Sequence, residues 1–270
     1  MSTLDVPGAR LHYEIRGSGP LLVMIGAPMD SSGFAALAPL MSGDHTVVTY
    51  DPRGTGRSAR EDPTSDVTAD LLADDVHRLL TALGDEPVDV LGSSGGAVTG
   101  LALATRHPDQ VRTLVAHEPP VVDVLPDRKE VRAAIFDLVE LYHHKGPAAA
   151  TREFMALTGI DMGPAGDVTA DAPDDGEDLF FAHMLRTITG YAVDIAALKA
   201  IPTQVVVGVG ATSKGQLANR TGAALAAALG NAPVEFAGDH VGFALEAEEF
   251  VRTLRGLLAA RTQTKRADTP

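Results

Sequence analysis

The chain has 270 residues, 45% hydrophobic and 21% charged, enough for one large α/β domain. Its formal net charge of −14 disfavours nucleic acid and anionic membrane as partners, and the absence of cysteine excludes a disulfide framework, a thiolate metal site and a thiol nucleophile. No apolar run approaches membrane-spanning length, and Met1-Ser2-Thr3-Leu4-Asp5 lacks the regions of a signal peptide, so a soluble cytoplasmic protein is expected.

Residues 10–16 alternate as a half-exposed strand does, and Gly17-Ser18-Gly19-Pro20 ends them. Leu21–Ile25 is a continuous apolar run, as in a buried central strand. It opens into a loop carrying Gly26, Ala27 and Met29, and residues 34–41 read as a helix. Residues 46–50 form the next strand, followed by Asp51-Pro52-Arg53-Gly54-Thr55-Gly56-Arg57-Ser58. Residues 70–83 carry Leu71, Leu72, Val76, Leu79, Leu80 and Leu83 at a helical period.

Residues 88–98 organise the rest. The apolar run Val88-Asp89-Val90-Leu91 ends in Gly92, an alanine-rich helical stretch follows to residue 106, and Ser94 stands between Gly92 and Gly96. A strand, then G-x-S-x-G, then a helix is the nucleophile elbow, a turn tight enough to force the serine into a strained backbone conformation. A bare flexible turn would show the same five letters, so the flanking strand and helix carry the weight. The Gly95 amide then opens the helix, where partial positive charge favours an anion.

Residues 111–116 form another strand, ending in His117-Glu118-Pro119-Pro120. From residue 121 to 199 the pattern is helical without a convincing strand: helices at 129–143, 147–157, 177–189 and 193–199, with a loop at 159–176 rich in Asp, Gly and Pro. The strand–helix rhythm then resumes with a strand at 204–209, a helix at 216–229, a strand at 233–236 and a helix at 246–260. Such alternation implies a mostly parallel sheet covered on both faces. The helical interlude would sit over the serine as a cap.

A serine hydroxyl needs a base within hydrogen-bond reach. Of nine histidines, His240 lies in the loop between the last strand and the last helix, placed to reach back toward Ser94. His143 and His144 lack carboxylate partners that would make them a metal pair, and no metal or cofactor is expected. The acid is less obvious. No Asp or Glu occurs from residue 203 to 234, so the loop after the penultimate strand cannot supply it. Glu118, at the carboxyl end of the strand after the elbow helix, shares the sheet edge with Ser94. Asp239 is the fallback, badly placed as the immediate neighbour of His240. Gly95 and Ala27, with Gly26 as the alternative to Ala27, would donate amides to an oxyanion.

The order Ser94, Glu118, His240 on such a sheet resembles the α/β-hydrolase superfamily, as do the Gly26-Ala27 loop, the Asp51–Ser58 stretch and Gly238-Asp239-His240-Val241-Gly242-Phe243. The resemblance implies an α/β fold with a mostly parallel eight-stranded sheet, helices on both sides and a helical cap. The core would be residues 1–120 and 200–262, the cap 121–199, and 263–270 a disordered tail. It departs from the family in having Ile25 where histidine commonly precedes the oxyanion loop, and in lacking the late acid. Some lactone-cleaving members resemble this arrangement. Members that open epoxides or remove halides use an aspartate nucleophile, against which Ser94 argues. Gly208-Val209-Gly210-Ala211-Thr212-Ser213-Lys214 faintly resembles a nucleotide-binding loop but lacks its third glycine.

The chain is therefore read as a serine hydrolase of a small or medium-sized apolar ester or lactone. Carbon–carbon bond hydrolysis or other cofactor-free base chemistry at the same site, and a non-catalytic small-molecule binder, are the alternatives. The cap contributes Phe136, Leu141, Tyr142, Phe154, Met155, Phe180, Phe181, Met184 and Tyr191, mostly as stripe residues facing a core. Met29, Phe136, Tyr142, Phe154, Phe181, Met184 and Val241 are the candidate substrate contacts.

Overall fold

The computed structural model describes residues 2–160 and 178–267, with side chains described as far as residue 259. Its strands are β1 (Ser2–Val6), β2 (Ala9–Arg16), β3 (Leu21–Ile25), β4 (Thr46–Asp51), β5 (Ala59–Arg60), β6 (Val88–Ser93), β7 (Val111–His117), β8 (Gln204–Gly210) and β9 (Val234–Phe236). They form one nine-stranded sheet in the order β1-β2-β4-β3-β6-β7-β8-β9, with β5 beside β2. The eight-stranded expectation matches the continuous path, and the two-residue β5 is the addition. Strand β1 escaped the sequence reading because its residues are mostly exposed, so no buried face produces an alternating pattern. It is held as a hairpin on β2, turned at Gly8 with φ 73°.

From β4 to β9 every pairing is parallel, as connections through helices require. The helices are α1 (Leu37–Met41), α2 (Ala69–Leu83), α3 (Gly95–Arg106), α4 (Arg128–Lys145), α5 (Pro147–Thr158), α6 (Leu185–Thr189), α7 (Ile195–Ala200), α8 (Leu217–Leu229), α9 (Gly242–Leu245) and α10 (Ala247–Ala267). Side chains of β7 point alternately to two cores. Leu114 and Ala116 join the cluster with α2 and α3, whereas Val115 joins the cluster with α1 and α10. Helix α3 is buried from Gly95 to Ala104, which explains its near-continuous apolar sequence. Its Gly100 admits Leu114, whose methyl would stand 2.6 Å from any Cβ there.

Some boundaries differ from those expected. The helix expected at 34–41 is a 3-10 turn, Ser31–Phe34, followed by α1, because the Asp30 side chain accepts from Ser32 N–H and winds the chain early. The helix expected at 177–189 begins as a π-helical segment, Leu179–Met184, before α6. Helix α10 runs on to Ala267, through most of the stretch expected as a tail, while 268–270 lie outside the described residues. The loop expected at 159–176 falls almost wholly outside them too. A separate apolar cluster, including Val122, Ile135, Leu138, Tyr142, Phe181 and Leu217, holds the helices between β7 and β8 together. Among the described residues no helix is long and apolar enough to cross a membrane.

The Asp51–Ser58 stretch is scaffold. Asp51 accepts hydrogen bonds from Ser31 N–H at 3.0 Å and Arg57 N–H at 2.9 Å. Arg53 grips buried Asp75 through two bonds of 2.7 and 2.6 Å, tying the loop to α2. Ser58 donates to the Asp51 carbonyl at 2.6 Å and accepts from His12 N–H at 2.8 Å.

Candidate active site

Ser94 has φ 55° and ψ −126°, a conformation L-residues rarely adopt. Its neighbours dictate it. A Cβ at Gly92 would stand 2.4 Å from the Gly96 carbonyl oxygen, and one at Gly96 would stand 1.9 Å from the Ile25 carbonyl oxygen. Only glycine permits strand, turn and helix to approach so closely. Ser94 N–H donates to His117 O at 3.0 Å, and Ser94 O accepts from Ala97 N–H at 2.9 Å, so the turn is pinned on both sides. The Gly95 amide opens α3, where a first-turn N–H has no acceptor within its own helix. Gly95 also lies against Ala27, whose carbonyl oxygen would be 2.4 Å from a Cβ at residue 95.

Glu118 is the second non-glycine residue with positive φ, at 47°. Its N–H donates to Gly208 O at 2.9 Å, and the two prolines that follow restrict the chain beyond. The backbone thereby turns a fully buried carboxylate back across the end of β8. Its Oε2 accepts from His240 Nδ1 at 2.7 Å. Its Oε1 accepts from Gly210 N–H at 2.9 Å and from the Ser213 hydroxyl. Burial pushes this carboxyl up, but the hydrogen bond from His240, the neighbouring imidazole charges and the Ser213 bond outweigh it, holding it at about 2. Asp239, the fallback acid, is not on the ring; its carboxylate accepts from Val241 N–H at 3.0 Å.

Ser94, Gly95, Ala27 and His240 all line one cavity. Among the described residues no hydrogen bond closes between the Ser94 hydroxyl and the His240 ring; in unliganded sites such bonds commonly tighten only around substrate. Behind His240 lies His117, fully buried, its ring centroid 6.4 Å from that of His240 and packed edge-on against Phe236, Phe243 and Phe250. Burial pushes the His117 imidazole down to about 4, so the ring is neutral at neutral pH. Among the described residues no cluster of three or more His, Asp or Glu side chains could hold a metal.

The expected substrate contacts divide. Phe154 and Met184 line the cavity. Phe136 does not: it is 51% exposed on the outer face of α4, one residue from Ile135, which does. Tyr142 and Phe181 pack together in the apolar cluster among the helices between β7 and β8, and Tyr142 O–H donates to Asp178 at 2.8 Å. Met29 packs beneath Gly26 and Gly33, and Val241 begins the turn into α9; neither lines the cavity. Sequence reasoning missed Leu157, Leu185, Ile188 and Leu217. The π-helical segment shifts the spacing that would have marked the residues after 178. Leu217 comes from α8, which follows β8 and lies beyond the helices between β7 and β8.

A family model for the alpha/beta hydrolase fold matches residues 19–142. The chain is 32% identical over 262 residues to the uncharacterized hydrolase YraK of Bacillus subtilis (strain 168), covering 95% of each. Among solved structures it resembles an enol-lactonase from Burkholderia xenovorans LB400, with TM-score 0.69, 22% identity and coverage of 96% of this chain and 100% of that one. It also resembles a thermophilic esterase from Thermogutta terrifontis, with TM-score 0.72, 20% identity and 96% coverage of both. This chain is an α/β hydrolase.

Proposed function

We propose that the protein is a serine hydrolase that cleaves a small or medium-sized apolar carboxylic ester or lactone through an acyl-enzyme. Ser94 Oγ attacks the carbonyl carbon while His240 Nε2 takes its proton, and the oxyanion accepts from the Gly95 and Ala27 amides. The imidazolium passes that proton to the leaving oxygen. Water, deprotonated by the same ring, then attacks the acyl carbon and releases Ser94. Glu118 keeps the Nδ1 proton in place and stabilises the charged ring. The observation that carries this reading is the 2.7 Å bond from His240 Nδ1 to Glu118, on a ring that shares its cavity with Ser94.

The cavity supports an apolar substrate. Ile135, Phe154, Leu157, Met184, Ile188 and Leu217 surround the space above Ser94. The hydroxyls of Thr158 and Thr189, also in the lining, donate to the carbonyls of Phe154 and Leu185. They are spent on their own helices. A serine nucleophile also fits acyl transfer better than epoxide opening, for which a carboxylate nucleophile would be needed. The similarity to an enol-lactonase and an esterase is consistent with acyl chemistry. A panel of aryl esters, alkyl esters, thioesters and lactones, assayed with wild type and Ser94→Ala, tests the reading. Mass spectrometry of an acyl group trapped on Ser94 is the expected positive result; turnover retained in Ser94→Ala would refute it.

A further inference from the structure

Glu118 presents two oxygens, and only Oε2 meets the histidine. A buried glutamate with three side-chain torsions holds one pose only if its second oxygen is tied down. The ties come from the last residue of β8 and the loop that follows it. Gly210 N–H and the Ser213 hydroxyl both donate to Oε1. Ser213 is fully buried, and its hydroxyl also lies 3.0 Å from the Gly210 carbonyl oxygen. It has one proton and two acceptors to choose between.

Asn219, in the first turn of α8, biases that choice. Its Nδ2 is 3.2 Å from Gly210 O and 3.0 Å from Ser213 Oγ. A carbonyl oxygen only accepts, so the amide must face it with nitrogen, and one N–H goes there. The second N–H fills an acceptor position on Ser213 Oγ. With Gly210 O already accepting one N–H, the charged carboxylate is the stronger acceptor for the serine proton, which goes to Glu118. The end of β8 has no room for a carboxylate of its own at residue 210, where a Cβ would stand 2.8 Å from both Ser213 Oγ and Gly238 O.

We propose that Ser213, oriented by Asn219, is a positioning residue that holds the Glu118 carboxylate in its pose on His240. This rests on the acyl-enzyme reading above. Ser213 touches neither substrate nor the reacting atoms and acts through Glu118. Without its hydroxyl the carboxylate is freer to rotate off Nδ1.

The test is steady-state kinetics on an aryl ester between pH 4 and 9, with thermal melts, for Ser213→Ala, Ser213→Thr, Asn219→Ala and the double variant. Ser94→Ala and Glu118→Gln are assayed alongside. Ser213→Ala is expected to lower kcat about ten- to a hundredfold, the worth of a hydrogen bond to a charged group, with KM nearly unchanged. Ser213→Thr should restore most of the rate. Asn219→Ala should act in the same direction more weakly and add nothing to Ser213→Ala, as expected of residues in one chain of contacts. A folded Ser213→Ala with wild-type kcat overturns the proposal, as does a lowered melting temperature with no change in kcat. Loss of activity in Ser94→Ala and Glu118→Gln with none in Ser213→Ala would overturn this inference alone. Turnover by Ser94→Ala would instead remove the reading beneath it.

Discussion

Glu118 and His240 are 122 residues apart in the chain, yet the carboxylate accepts from the ring at 2.7 Å. β7 and β8 are adjacent and parallel, and His117 pairs in register with Gly208, so Glu118 emerges at the sheet edge beneath the histidine loop. Its positive φ costs about 1–3 kcal/mol in an L-residue, a cost the fold bears at the residues that need unusual exits from their strands, Ser94 and Glu118.

Replacement of Glu118 by glutamine keeps the shape and removes the charge. The amide can offer an N–H to Nδ1, favouring the wrong tautomer and leaving the imidazolium without its counter-charge. Turnover is expected to fall about a thousandfold or more while the melting temperature changes little. A folded Glu118→Gln protein with wild-type kcat would remove Glu118 from the mechanism.

Stability should fall in acid in two windows. His117, pushed down to about 4 from an ordinary 6.5, binds fewer protons in the folded than in the unfolded chain between those values. Stability is therefore full above pH 6.5 and declines toward pH 4, by up to about 3 kcal/mol. Glu118 is depressed from 4.5 to about 2, so its contribution is present above pH 4.5 and lost as pH falls through about 2. Urea melts of His117→Phe, which keeps an aromatic ring among Phe236, Phe243 and Phe250, should shrink the first window, to which His107, also held below its ordinary value by burial, contributes with the same sign, and keep the second. An unchanged slope between pH 6.5 and 4 would show that another group titrates there.

Charge on the substrate should be penalised heavily. Among the described residues the cavity lining has no cation besides what His240 can become, and residues 161–177 include no Lys, Arg or His in the sequence. An unpaired carboxylate taken into such a space costs several kcal/mol. Comparison of p-nitrophenyl hexanoate with the same ester bearing a terminal carboxylate should show kcat/KM lower by about a hundredfold or more for the charged one. Equal rates would mean that the chain end stays in water or meets a cation.

Gly96→Ala should not fold normally. The new methyl would lie 1.9 Å from the Ile25 carbonyl oxygen, a backbone atom at the end of a central strand that cannot step aside. Overpacking of this kind typically costs 1–3 kcal/mol, and here a backbone clash adds to it. The expected readout is a melting temperature lowered by several degrees or insoluble expression. A variant with wild-type stability would show that α3 and β3 can separate.

The elbow, the chain order Ser94, Glu118, His240 and the alternation of strands with helices were all legible in residue order, because each is a local signal. Glycines flank a serine, apolar runs end at turns, and a loop without Asp or Glu cannot supply an acid wherever it lies. Strand β1 was not legible, since its exposed residues leave no periodic mark. Nor was the cavity lining. Periodicity marks Phe136, Tyr142 and Phe181 as apolar positions on helices, but not which of several surroundings they meet. Neighbours in sequence diverge in space: Ile135 faces the cavity and Phe136 the solvent, Phe180 the cavity and Phe181 the apolar cluster between the helices that link β7 and β8. Ser213 carries no sequence signal at all. It acquires its place only when β7, the end of β8 and the His240 loop bring Gly210 N–H, the Ser213 hydroxyl and the His240 ring around one buried carboxylate, a convergence that depends on contacts between residues distant in the chain.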